Sequence, residues 1–164
     1  MATLKFEGLE KTISAMARVA DQKRVDSAIR RAIYPAAGLA IDSIKAAEES
    51  VSVGLFDIDS KINAKRRTSK TLRRRLVTGT MLDSKMRRTN DGTIYIDVIW
   101  KGRTRSGYIS NLIKAIESGG TWGGRRTRIP KTGIIRRTMK QMAPKMNELM
   151  ADNLSEELGK IMEE

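Results

Sequence analysis

Residues 93–101 read Thr93-Ile94-Tyr95-Ile96-Asp97-Val98-Ile99-Trp100-Lys101. Ile94, Ile96, Val98 and Trp100 share one face, and Tyr95, Asp97 and Ile99 share the other. This period of two, built from β-branched and aromatic residues, predicts a strand. Asn90-Asp91-Gly92, just before it, is a turn signal that fits a hairpin with the preceding segment. That segment, 71–86, is ambiguous. Thr78-Gly79 breaks it, and Met81-Leu82 opens either a short helix or a strand. After the strand, 102–107 is a basic turn. Near the chain start, Thr3-Leu4-Lys5-Phe6-Glu7 alternates apolar and charged residues and predicts a second short strand ended by Gly8.

Elsewhere the apolar residues recur at helical spacing. Leu9, Ile13, Met16, Ala17 and Ala20 predict a short helix over 9–20. Val25, Ile29, Ala32, Ala36, Leu39, Ile44 and Ala47 form the stripe of a longer one over 22–47. Pro35 lies inside that stripe, removes a backbone donor, and predicts a kink near Arg31 or a split in two. The small side chains of Ala36-Ala37-Gly38-Leu39-Ala40 allow another element to approach closely. A third helix is predicted over 108–118, with Tyr108, Leu112, Ala115 and Ile116 on one side. The last spans 133–162, with Ile135, Met139, Met142, Met146, Leu149, Leu154, Leu158 and Ile161 facing inward, and Pro144 kinking it or beginning its second half. Met139, Met142, Met146 and Met150 read as adaptable core fillers, with a subunit interface as the alternative.

Between these elements, 51–56 is extended or loop, and 57–70 is a polar, basic, exposed loop. Gly119-Gly120-Thr121-Trp122-Gly123-Gly124 runs into Arg125-Arg126-Thr127-Arg128 as a mobile or sharply bent loop closed by Ile129-Pro130. The class expected is α+β: a small antiparallel sheet packed with a long N-terminal helix pair and a long C-terminal helix. One domain is expected, with a basic loop-rich insertion at about 57–75 and a Gly-rich basic loop at about 119–133.

The chain has 164 residues, with 32 Lys+Arg, 19 Asp+Glu, no His and no Cys. A chain of this length can bury about 68–70% of its unfolded surface without metal or disulfide staples. Without Cys there is no thiolate nucleophile; without His, the commonest base and metal ligand is missing, so structural zinc is not expected and His-dependent triads are excluded. The longest uncharged run is ten residues, from Ala32 to Ile41, against the about 20 apolar residues of a membrane span. Lys5, Glu7 and Glu10 stand where a secretory leader would be apolar, so the expectation is a chain kept in a cytosol.

The net charge of +13 is concentrated: residues 1–60 carry −1, 61–140 carry +18 and 141–164 carry −4. Such a central block attracts polyanions or acidic protein surfaces and repels copies of itself.

Catalytic motifs fail in turn. The 119–124 loop lacks the Gly-Lys-Ser/Thr ending of a phosphate loop and has no dinucleotide fingerprint. Asp59-Ser60-Lys61 with Asp42 is only a superficial match to a metal-dependent nuclease, since Asp42 reads as an exposed helix residue and Asp59 as loop. Glu48, Glu49, Glu156 and Glu157 read as solvated helix faces rather than a glycosidase pair. No spacing marks a Ser-Lys dyad. The chain reads as no enzyme, with no catalytic residue, cofactor or metal site.

The arginines form the stronger constellation: Arg66, Arg67, Arg73, Arg74, Arg75, Arg125, Arg126 and Arg128 are the candidates for contact with DNA or an acidic partner. Seven aromatic residues, only Trp122 near an Arg cluster, supply no stacking platform, and no sequence-reading motif emerges. Any nucleic-acid contact would therefore go through phosphates and ignore sequence.

Four stretches carry a family resemblance. They are Leu4-Lys5-Phe6-Glu7-Gly8-Leu9-Glu10, Val77-Thr78-Gly79-Thr80-Met81-Leu82, Ala115-Ile116-Glu117-Ser118-Gly119-Gly120, and Arg128-Ile129-Pro130-Lys131-Thr132-Gly133-Ile134-Ile135-Arg136. In this order the chain resembles the tail-completion and minor-tail proteins of long-tailed bacteriophages, which include lambda minor tail protein Z-like and Mu-type virion morphogenesis proteins. It departs from them at Ile116, where an aromatic is usual, at Thr132-Gly133-Ile134 in place of Arg-Pro-Phe, and in its longer basic segment before the Thr-Gly step. The resemblance implies a structural subunit of the neck or tail terminator, forming a ring, often sixfold, at the head–tail joint. Its partners would be copies of itself, the tail tube and connector proteins, with genomic DNA passing through and no membrane. The implied place is the virion, assembled in host cytoplasm. Tyr108, Glu117, Trp122, Pro130 and Ile134 would then lie near subunit contacts. The alternative reading is a free, sequence-nonspecific nucleic-acid-binding protein.

Overall fold

The strand read at 93–101 forms over Ile94–Trp100 (β3). It lies at the centre of an antiparallel sheet, between Ala2–Phe6 (β1) and Thr80–Arg88 (β2). The computed structural model describes residues 2–6, 10–51, 72–90, 93–104, 106–123 and 127–163. Leu4 pairs with Ile96, Leu82 with Val98 and Thr80 with Trp100, and the β2 register shifts between Leu82 and Met86. Because β3 has a neighbour on each side, its alternation is incomplete. Asp97 is only 3% exposed, and it accepts hydrogen bonds from Thr3 Oγ1 at 2.8 Å and Arg87 Nη1 at 3.0 Å. The ambiguous 71–86 segment divides at the predicted break, into a helix, Leu72–Gly79 (α3), followed directly by β2. A side chain at Gly79 would collide with the Lys101 carbonyl, and Lys101 N donates to the Gly79 carbonyl at 2.9 Å. Of the Asn90-Asp91-Gly92 turn, Asp91 and Gly92 lie outside the described residues; Thr89 N donates to the Thr93 carbonyl at 2.9 Å across its mouth.

Two helices precede this unit, Glu10–Val19 (α1) and Gln22–Ser50 (α2). Asp21 caps α2 by accepting from Arg24 N at 2.9 Å. Pro35 does not split α2, which runs through it. The ring is exposed, so the Arg31 carbonyl that lacks its helical donor is left on the solvent side, where water can satisfy it. The buried line of α2 follows Val25, Ile29, Ala32, Ala36, Ala40, Ile44 and Glu48. Leu39 and Ala47, one residue short of that line and about 100° around the helix, are only half-buried.

The last helix, Ile134–Glu163 (α5), likewise runs unbroken through an exposed Pro144. It buries Ile135, Met146, Met150 and Leu154, and packs lengthwise on α2, where Ala32 and Ala36 let the helices come close. Asn153 Nδ2 reaches the Ala32 carbonyl at 3.2 Å. Between sheet and α5 lie a short hairpin, Arg103–Thr104 (β4) with Gly107–Tyr108 (β5), and a helix, Ile109–Ser118 (α4). Ile109, Leu112, Ile113, Ala115 and Ile116 are buried on α4. Tyr108 is not on that side: it precedes the first turn and is 54% exposed. The glycine-rich stretch is more ordered than predicted. Gly120–Trp122 (β6) pairs antiparallel with Thr127–Ile129 (β7), because Trp122 is buried and its ring lies against Gly107. The fold is α+β.

Candidate interaction surface

The joint between α4 and α5 brings two of the family-like stretches together. Glu117 Oε2 accepts from Ile135 N at 2.9 Å, and Oε1 from Arg136 N at 3.1 Å. One carboxylate thus satisfies two of the orphan donors at the α5 N-terminus and places negative charge where the helix dipole favours it. Thr132 N donates to the Ile116 carbonyl at 2.9 Å, and Gly133 N to the Glu117 carbonyl at 3.0 Å. Gly133 has φ of +59°, a conformation that glycine adopts without penalty.

The five residues proposed for subunit contact divide accordingly. Trp122 is 5% exposed within the subunit, and Glu117 spends both carboxylate oxygens inside the chain. Ile134 is half-buried, whereas Tyr108 and Pro130 are exposed. The Arg103 guanidinium stands 5.1 Å from the Tyr108 ring centroid, a cation–π arrangement.

Of the eight arginines, Arg66, Arg67, Arg125 and Arg126 lie outside the described residues, as do most of the 57–75 insertion and residues 124–126. Arg73, Arg74 and Arg75 sit on α3. Arg74 is exposed, and Arg73 Nη2 donates to the Val51 carbonyl at 2.7 Å. Arg128 is exposed on β7, opposite Thr121. Both α3 and β6 pack against α4, so that buried helix carries the elements bearing Arg74 and the β6–β7 hairpin.

Two carboxylates read as solvated are buried. Glu48, at 0% exposure, accepts from Trp100 Nε1 at 2.6 Å and faces Thr80 Oγ1 at 2.8 Å. Burial pushes its pKa up to about 7, against the lowering effect of the Trp100 and Thr80 hydrogen bonds and the Lys45 charge. Glu157 lies between Arg31 Nε at 2.6 Å and Lys160 Nζ at 2.9 Å. Burial raises its carboxyl, but the hydrogen bonds and charges of Lys160 and Arg31 outweigh this and hold it below its ordinary value. Glu48 stands four residues after Ile44 on the apolar line, and Trp100 supplies a buried N–H that needs an acceptor. Those two signals were present in the sequence, but a charge count does not weigh them.

Among the described residues, no group of three or more acidic side chains gathers to hold a metal ion. Asp42 is exposed, while Asp59 and Lys61 lie outside them. An open depression on α1 is lined by Lys11, Ser14, Ala15 and Arg18. No described helix is long and apolar enough to cross a membrane. Comparison with known proteins finds no matching family model, no similar curated protein and no similar solved structure.

Proposed function

We propose that this chain is a bacteriophage virion structural protein, a tail-completion, tail-terminator or neck subunit that forms a ring at the head–tail joint. The observation that carries the reading is the joint at Glu117. The 115–120 and 128–136 stretches, both part of the resemblance, meet there through backbone and carboxylate hydrogen bonds. The β6–β7 hairpin that joins them ends beside the exposed Pro130. In this reading Pro130 and Tyr108 face the next subunit, and Trp122 and Glu117 hold the shape of that surface from within. Ring closure is heterologous: one surface of each copy meets a different surface of the next. Arg74 and Arg128 face either DNA phosphates in the lumen or acidic groups of a neighbour. Copies of the chain, six to a ring, would join the tail tube and connector proteins in a particle assembled in host cytoplasm. Electron microscopy and mass determination of the purified protein, alone and mixed with tail tubes, test this. Rings or tube caps are expected; a strict monomer that never joins tubes or virions sinks the idea.

A second reading is favoured by the +18 charge of residues 61–140: a free protein that binds nucleic acid through phosphates. It requires duplex affinity that falls steeply with salt and collapses in an Arg74→Glu, Arg128→Glu variant. Ring assembly that survives in that variant separates the two readings.

A further inference from the structure

Between Asp97 and Glu148 the chain carries 12 Lys and Arg and a single acid, Glu117. Both Glu117 oxygens are spent on the Ile135 and Arg136 amides. Nine of those cations are described, and all nine are exposed. None of the nine makes an ion pair; among the described residues the pairs are made by Arg31, Arg87 and Lys160, outside this stretch. The stretch is also one structural unit. Strands β5 and β6 and the start of α5 all meet α4, and the Trp122 ring against Gly107 joins the two hairpins. Charge of one sign is thus gathered on neighbouring elements without internal compensation, which favours a polyanionic partner.

Tyr108 selects among polyanions. It is the one exposed aromatic side chain among the described residues, at 54%. The sequence places only Trp122 near an Arg cluster, and Trp122 is buried. Strand pairing supplies the missing combination. Arg103 lies opposite Tyr108 across β4 and β5, and its guanidinium stands 5.1 Å from the ring centroid. The backbone on both sides of the ring is tied down: Ile109 N donates to the Gly102 carbonyl at 3.1 Å, and Thr104 Oγ1 to the Gly107 carbonyl at 3.1 Å. A ring so held, with a guanidinium already over it, needs little ordering before a further flat group stacks. Nucleobases stack on aromatic and guanidinium planes whatever their sequence, provided they are unpaired. An acidic protein segment matches the charge but does not bring a flat face with every unit of it.

We propose that the Tyr108–Arg103 pair on the β4–β5 hairpin binds single-stranded nucleic acid, with a base stacked at Tyr108 and the backbone phosphates met by the exposed cations of this stretch. The site rests on the nucleic-acid reading and not on the ring, since a neighbour seated on Tyr108 would cover it. It adds a preference that phosphate contact alone does not produce. Duplex DNA carries the denser charge, so a purely electrostatic surface binds duplex more tightly than a single strand of the same length. A base stacked on Tyr108 reverses that order, because the bases of a duplex are already paired and stacked.

Fluorescence anisotropy of the full chain tests this, with a labelled oligothymidylate of about 16 nucleotides and its duplex with oligodeoxyadenylate, both at about 50 mM salt. The single strand is expected to bind about tenfold more tightly than the duplex. Tyr108→Ala should abolish that difference and leave duplex affinity within about twofold of wild type. Tyr108→Phe keeps the ring and should keep the preference, which separates stacking from a fold defect. A single strand bound no more tightly than duplex, or a preference that survives Tyr108→Ala, overturns the proposal and leaves the nucleic-acid reading standing. Absence of binding to either ligand at about 50 mM salt sinks both. Polyglutamate of matched charge that displaces the single strand as well as unlabelled oligothymidylate does also overturns the proposal, and assigns the surface to an acidic protein.

Discussion

At the scale of single residues, Glu48 and Glu157 make stability depend on pH in opposite senses. The Glu48 proton completes a hydrogen-bond chain. A neutral Glu48 donates to Thr80 Oγ1, which then donates to the Leu76 carbonyl at 2.9 Å, while Trp100 Nε1 donates to the other carboxyl oxygen. An ionised Glu48 competes with Leu76 for the single hydroxyl proton. The folded pKa of about 7 lies above the ordinary 4.5, so the native state binds the extra proton between those values and stability falls as pH rises through that window. The loss approaches roughly 3 kcal/mol above pH 7. Urea unfolding at pH 5 and pH 8 should show it, and Glu48→Gln, which keeps a donor and an acceptor in place, should flatten the difference. A Gln variant with an unchanged slope would assign the pH dependence elsewhere. For Glu157 the folded pKa is lowered, so its contribution is present above the unfolded value and is lost as pH falls. Glu157→Gln should therefore remove part of the acid-side loss, read from unfolding midpoints below pH 5.

At the scale of elements, the termini and prolines of the long helices matter most. Glu117→Ala leaves the Ile135 and Arg136 amides without their carboxylate and should cost about 1 kcal/mol, as the loss of a helix cap does. Faster hydrogen exchange at those amides, with slower exchange retained in α2, would locate the effect at the α5 start. Pro35→Ala should stabilise α2 by about 1 kcal/mol or more, since Pro is the poorest residue in a helix interior and the ring is exposed. A destabilised Ala variant would mean that the proline serves packing along α2. Periodicity made β3, α2 and α5 legible in the sequence, because each keeps its period over several turns or pairs. It did not settle 71–86, where the break at Thr78-Gly79 was visible but the element type on either side was not. The close approach of Gly79 to Lys101 is a contact across the sheet end that local propensity does not contain. The β6–β7 hairpin was missed for a related reason: its glycines favour bends, and the burial of Trp122 against Gly107 is what draws its arms together.

At the scale of the whole molecule, charge and core are distributed differently from their order in the chain. The acidic character of 141–164 is partly spent within the subunit, on Arg31 from α2 and on Lys160. Among the described residues, Glu148 and Asp152 remain exposed outside those pairs. Of the residues named for contact, exposure and positive charge select Tyr108, Pro130, Arg74 and Arg128 among those described. Tyr108→Ala with Pro130→Ala should leave the thermal midpoint within a few degrees of wild type, since exposed substitutions usually change stability by less than about 0.5 kcal/mol, while reducing ring or tube-cap formation counted by electron microscopy. The sequence by itself determined the α+β class, the central strand, the two long amphipathic helices and the absence of His and Cys, because periodicity and composition are local properties that need no partner. Only the tertiary structure decided which charged residues belong to the interior. Glu48, Asp97 and Glu157 are buried because residues distant in sequence (Trp100 and Thr80, Thr3 and Arg87, Arg31) arrive to satisfy them, and the stability of a buried charge depends on those partners.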